Sequence, residues 1–192
     1  MRELLEAIAV TAELTQTDLS KHAAKAMADD LARFPLPQVL ASLTRCRREL
    51  RGKLTLADVI ARLDDGRPGA EEAWAMLPKS EGASVVWTAE MATAFGVACP
   101  LFDTDEVAAR MAFKEAYGKA VSEARNAGVP TKWTPSLGHD VWGRESVLRT
   151  AVERGRLTAE HASRLLPHLK ESPEFRALME AQKAIGKIGV AA

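Results

Sequence analysis

The chain has 192 residues, 47% hydrophobic and 27% charged, and 26 lysines and arginines balance 26 aspartates and glutamates. That composition excludes an intrinsically disordered chain, and the charge balance argues against a general nucleic-acid coat, leaving local clusters to carry any electrostatic recognition. The length suits one sizeable core or two small helical domains, with roughly 70% of the unfolded surface buried on folding.

Helical periodicity dominates from the first residues, and strand alternation is nearly absent. Leu4, Leu5, Ile8 and Ala12 line one side of a first helix, and Leu19, Ala23, Met27 and Leu31 one side of a second. Pro35 and Pro37 end the second, because proline blocks helix continuation. Val39, Leu43, Cys46 and Leu50 fall on a narrow arc of a third helix. Thr55 and Asp58 read as a capping box opening a fourth, whose Leu56, Val59, Ile60 and Leu63 should face inward. The clearest break follows at DDGRPG, where Gly66, Pro68 and Gly69 supply turn chemistry. The expected fold class is therefore all-α, a helical bundle in two packed halves, with a four-helix domain over 1–66 and a second helical domain over 67–192.

Beyond the break, a short helix is expected over 70–77 and another over 87–95, ended by Gly96. The longest is expected over 103–127, with Ala109, Phe113, Tyr117 and Val121 in one i,i+4 row and Gly128 and Pro130 at its end. Residues 131–143 read as an aromatic, glycine- and proline-containing loop. Helices are expected near 144–154, over 158–169 and over 173–187, the last started by Ser172-Pro173, and the tail from Gly186 should fray.

The strongest interaction signal is the cluster Arg45, Arg47, Arg48, Arg51 and Lys53, interrupted in charge by Glu49. Opposite the apolar arc, these cations can pair with phosphates or with partner carboxylates, or remain a solvated face that complements the helix dipole. Cys46, on the apolar arc, reads as a buried structural thiol. Trp133 and Trp142 put two tryptophans into one loop. They suit a protein interface, stacking on bases, or a plug between helices, and plugging is the favoured reading.

Catalytic and metal signals are weak. His161 and His168 lie about 10 Å apart along one expected helix, too far to chelate a single ion between them. Ser136, His139 and Asp140 lie close in sequence, but no strand-turn-helix elbow surrounds the serine. No P-loop sequence is present. The expectation is a protein without catalytic residues, metal ligands or cofactor. Cys46 and Cys99 have no paired spacing, no signal-peptide pattern opens the chain, and no apolar run approaches the ~20 residues that span a bilayer. The expected location is the cytoplasm of a bacterial host cell, with no membrane partner.

The run PLPQVLASLTRCRRELRGKLTLADVIARLDDGRPGAEEAWAM resembles segments of bacteriophage and prophage replication-associated proteins, and is similar to the small helical domains of helicase loaders and replisome organisers. The matching features are residues 36–50 and the helix led by Leu54-Thr55 and closed by Ile60 and Leu63. Loaders of the ATPase kind carry P-loops, which this chain lacks. The resemblance therefore implies a non-ATPase adaptor that binds a replicative helicase, with a nucleic-acid-binding or host-inhibiting phage protein as the alternative.

Overall fold

The computed structural model describes residues 1–188. Positions 189–192 of the tail expected to fray lie outside the described residues. The fold is all-α, with ten α-helices and one two-stranded sheet among the described residues. The chain forms two compact units. The first comprises Met1–Arg67 with Gly118–Thr131, and the second Pro68–Tyr117 with the chain from Lys132 onward. A single cut near Gly66 thus describes where the chain first leaves one unit, but not its return fifty residues later, counted from Pro68 to Tyr117.

The first unit holds α1 (Arg2–Leu14), α2 (Lys21–Leu31), α3 (Leu36–Glu49) and α4 (Leu56–Ala61). Its core contains Leu4, Ile8, Met27, Leu31, Val39, Leu43, Cys46, Val59, Ile60 and Leu63, the inward positions that helical spacing selects. On α2 the buried face carries Ala28 rather than Ala23, which is exposed; the helix begins only at Lys21, so Leu19 packs from the preceding loop. His22, expected at the margin of that face, is exposed as well.

Side chains define the ends of these helices. Ser20 caps α2 by accepting the Ala23 amide, and Thr55 and Asp58 form the reciprocal capping box of α4. α1 ends without glycine: Gln16 takes the left-handed conformation (φ 53°), and the next amide, Thr17, returns to the Ala12 carbonyl. Thr17 Oγ1 then accepts the Leu54 amide at 2.7 Å, and the buried Ser42 hydroxyl donates to the Val59 carbonyl at 2.5 Å. The Leu54 amide of the α3–α4 connection and the buried Ser42 hydroxyl are thereby satisfied inside the unit.

Residues 118–131 join this unit through contacts centred on Asp65. Arg125, near the end of α7 (Glu106–Asn126), donates to both oxygens of Asp65 at 3.0 and 3.1 Å and to the carbonyls of Ala61 and Leu63 at 2.8 and 2.9 Å. The Arg67 side chain, 1% exposed, donates to Asp65 at 2.6 Å and to the Val129 carbonyl at 3.0 Å. Thr131 donates to the Asp65 carbonyl at 2.5 Å. Gly128, with φ 67°, ends α7 and lets the chain turn into this contact.

The second unit holds α5 (Ala70–Ala75), β1 (Val85–Thr88), α6 (Ala89–Ala98), β2 (Trp133–Ser136), α8 (Val141–Glu153), α9 (Ala159–Leu165) and α10 (Pro173–Ile188), with α7 as far as Tyr117. Two expectations change here. The segment expected to be helical from Trp87 begins as a strand, and α6 starts only after Thr88, whose side chain caps it. The expected 131–143 loop contains β2 and the first turn of α8. β1 and β2 pair antiparallel, Val85 with Ser136 and Thr88 with Trp133. Val85, Val86 and Thr88 are all buried, so both faces of β1 are covered and no apolar/polar alternation marks it. Pro135 is tolerated because each strand of a two-stranded ribbon is an edge. The helix expected over 158–169 divides at Leu166 into α9 and a short 3-10 turn, Pro167–Glu171.

The second core gathers Val86, Leu148, Val152, Leu157, Leu169 and Phe175, with Trp133 packed against it. Beside it runs a chain of rings within the same unit: Trp87–Phe95, Phe95–Phe102, Phe102–Trp74, Trp74–Phe113 and Phe113–Tyr117, with centroids 5.1 to 5.6 Å apart. The Tyr117 hydroxyl donates to the Pro68 carbonyl at 2.7 Å.

Leu43 is fully buried, so Leu43→Ala should cost about 2–5 kcal/mol in urea unfolding; a change near zero would contradict its place in the core. Asp65 gives a second expectation. Burial alone would raise its carboxyl pKa, but the hydrogen bonds and charge of Arg125, with further bonds from Arg67, outweigh burial and hold it below the ordinary carboxylate range. Its folded pKa is depressed, so its contribution is complete above the unfolded value, about 4, and is lost as pH falls through the folded value. Asp65→Asn should destabilise the protein by about 3–5 kcal/mol at neutral pH, because it removes the carboxylate that the largely buried Arg125 engages through both oxygens and that Arg67 also contacts. Denaturant titrations of both proteins below about pH 4 should show a smaller acid-dependent loss in the variant. Parallel pH curves would exclude Asp65 as the titrating group.

Candidate functional sites

The basic cluster divides by burial. Arg47 turns inward: it donates to Thr11 Oγ1 of α1 at 2.9 Å and to Thr44 Oγ1 at 2.7 Å, and Thr11 itself is fully buried. Arg45 reaches the Arg62 carbonyl at 3.4 Å and Asp64 at 3.6 Å. Glu49 engages Arg62 at 3.1 Å. Arg48, Arg51 and Lys53 are exposed and have no hydrogen bond or ion pair among the described residues. The cluster therefore presents three free cations, one weakly tied arginine and one structural arginine. Arg47 and Arg48 also lie in the last turn of α3, where positive charge complements the helix dipole.

Cys46, between Arg45 and Arg47 in sequence, is fully buried. Burial pushes its thiol pKa up, against a lowering influence from Arg62, so it stays protonated.

The two loop tryptophans have different environments. Trp133 lies on β2 beneath the Arg156 guanidinium, 4.5 Å from the ring centre, and packs on the second core. Arg156 is held by Glu72 at 2.7 Å. Trp142, in the first turn of α8, is 92% exposed. The plugging expected of both rings describes Trp133 and fails for Trp142. Asp140 caps α8 by accepting the Trp142 amide at 3.0 Å, and Trp142 lies in the first turn, away from the buried stretch of α8 at Leu148, Ala151 and Val152.

Ser136, His139 and Asp140 are all exposed, and no hydrogen bond links them among the described residues. His168 pairs with Glu145 at 3.1 Å. Hydrogen bonds from Arg149 and His168 lower the Glu145 pKa. Among the described residues, no group of three His, Cys, Asp or Glu side chains is placed to hold a metal ion, and no helix is long and apolar enough to cross a membrane.

Sequence reasoning missed a cleft of about 530 Å³ in the second unit. Trp87, Phe95 and Phe102 form its aromatic wall, and Lys79, Glu81 and Asp103 stand among its polar lining. Hydrogen bonds fix the lining residue Gly138 and its neighbours. Gly138 N donates to Ser84 Oγ at 3.1 Å, and Asp140 N to the Gly82 carbonyl at 2.9 Å. Arg144 grips the Gly138 carbonyl through two nitrogens at 2.9 and 2.7 Å. A side-chain carbon at Gly138 would collide with the Gly82 carbonyl, so only glycine permits this approach. The spacing of Trp87, Phe95 and Phe102 was visible in sequence, but the residues facing them come from distant segments.

Comparisons of the chain with family models, with curated proteins and with solved structures give no significant match.

The division of the basic cluster can be measured. Arg47→Ala removes a guanidinium from buried hydroxyl partners and should cost about 1–3 kcal/mol, whereas Arg48→Ala should change stability by less than about 0.5 kcal/mol. Equal effects in thermal or urea unfolding would refute the separation into structural and free arginines.

Proposed function

We propose that the protein is a non-enzymatic, phage-encoded adaptor that acts in the host cytoplasm by binding a partner in DNA replication, a replicative helicase first. Carrying this reading is the exposure of Arg48, Arg51 and Lys53 without ion-pair partners among the described residues. Guanidiniums in that state can form forked, charge-assisted hydrogen bonds to partner carboxylates without first breaking internal ones. Arg45 can join them at the expense of a 3.6 Å contact to an exposed Asp64, which is worth little at a surface. Arg47 supports the surface from within by anchoring α3 to α1.

The alternative, a nucleic-acid-binding or host-inhibiting protein, is favoured by one observation, the 92% exposure of Trp142. An indole held outward on a capped helix offers a face on which an unpaired base can stack. In that reading Arg48, Arg51 and Lys53 contact phosphates.

The purified protein should be mixed separately with the host replicative helicase, single-stranded DNA and duplex DNA, and complex mass measured by light scattering after size exclusion. The adaptor reading expects a complex with the helicase alone. Charge reversal by Arg48→Glu, Arg51→Glu and Lys53→Glu together should abolish that complex while leaving helicity and melting nearly unchanged. Unaltered binding by the triple variant would sink the proposed surface. Binding to single-stranded DNA alone, weakened by Trp142→Ala, would establish the alternative.

A further inference from the structure

The cleft of the second unit supports an inference independent of the adaptor reading. Its volume, about 530 Å³, lies within the range of small-molecule sites. Trp87, Phe95 and Phe102 are only partly buried there, and they touch one another in series with centroids 5.5 Å apart. Aromatic faces carry negative electrostatic potential and attract cations. In the same lining, Glu81 and Asp103 provide two carboxylates against the single ammonium of Lys79. All three are exposed, with no ion pair among the described residues. The wall and the charged groups therefore favour the same sign of ligand. The hydrogen bonds that hold Gly138 and Asp140 to the 82–84 segment fix this part of the lining before any ligand arrives, which lowers the ordering cost of binding.

We propose that this cleft binds a small organic cation, an ammonium group joined to an apolar or aromatic body. The apolar body lies against Trp87, Phe95 and Phe102, and the ammonium faces Glu81 and Asp103. Lys79 disfavours a second positive charge on the ligand and leaves room for a polar or anionic substituent.

Cys99 lines the same cleft and is exposed, whereas Cys46 is fully buried with its thiol pKa pushed up. In the native protein, N-ethylmaleimide therefore reports on Cys99, and a bound ligand should slow its reaction. Rates followed by intact mass would be compared in phenyltrimethylammonium, in N,N-dimethylaniline at a pH where it is neutral, and in benzoate. Phenyltrimethylammonium should protect Cys99 saturably, with about tenfold higher affinity than its neutral analogue, and benzoate should protect least. The double variant Glu81→Gln, Asp103→Asn should weaken the cation several-fold and leave dimethylaniline unchanged. Phe102→Leu should weaken both. Equal affinity for the charged and neutral probes, or no protection at millimolar concentrations of any of them, overturns the proposal.

Discussion

The Asp65 carboxylate is the constraint on which the first unit's composition depends. It receives Arg67 from the adjacent turn and Arg125 from sixty positions further along the chain. Without this carboxylate the Arg125 guanidinium, 15% exposed, would sit largely desolvated at considerable cost, and the buried Arg67 would lose its contact at 2.6 Å. With it, each also satisfies backbone carbonyls: Val129 for Arg67, and Ala61 and Leu63 for Arg125. The carbonyls that Arg125 takes belong to the last residue of α4 and the turn beyond it, groups that no longer have intrahelical donors. One ion cluster thus closes the end of α4 and brings residues 118–131 into the unit. The cluster is non-local, so its loop-closure entropy must be overcome before it contributes, and its formation is expected late relative to the α1–α4 contacts.

That non-locality also explains which features were legible in the sequence. The four N-terminal helices, the Thr55–Asp58 box and the row Ala109, Phe113, Tyr117, Val121 follow from local spacing, and all four residues of that row are buried. DDGRPG reads as a turn because glycine and proline act locally. Arg125 reads only as a basic residue near a helix end, where the dipole alone would account for it. Its long-range partners carry no local signature. The β-ribbon was hidden for a related reason: four residues covered on both faces lose the alternation that marks a half-buried strand, and Pro135 argues against the other strand.

The candidate surface at the end of α3 shows how a charge run conceals separate roles. Arg45, Arg47 and Arg48 lie on α3, where successive residues are about 100° apart, and Arg51 and Lys53 follow its end, so the five cations do not share one environment. Arg47 points toward α1 and takes buried hydroxyls, while Arg48 points to water. Spacing placed Cys46 on the buried arc, but its immediate neighbour Arg47 lies close enough to that arc for its long stem to bring the guanidinium back inside. Count and sign were legible, whereas the division of labour needed side-chain geometry. Replacing this group as a block would confuse loss of fold with loss of contact, because Arg47 belongs to the fold.

The aromatic series in the second unit joins stability to the open cleft. At one end, Tyr117 and Phe113 are buried, and the Tyr117 hydroxyl holds the Pro68 carbonyl where the chain enters the unit. At the other, Phe102, Phe95 and Trp87 line the cleft and remain partly exposed. Burying these three rings fully would add apolar contact area, but it would require the 78–83 segment to collapse onto them. The Gly138–Ser84 and Asp140–Gly82 hydrogen bonds tie the end of that segment to residues 138 and 140, so a collapse that pulled it away would break satisfied backbone groups. Polar satisfaction beside the cleft thus opposes its closure, and the partly exposed rings of its wall stay available to a cation.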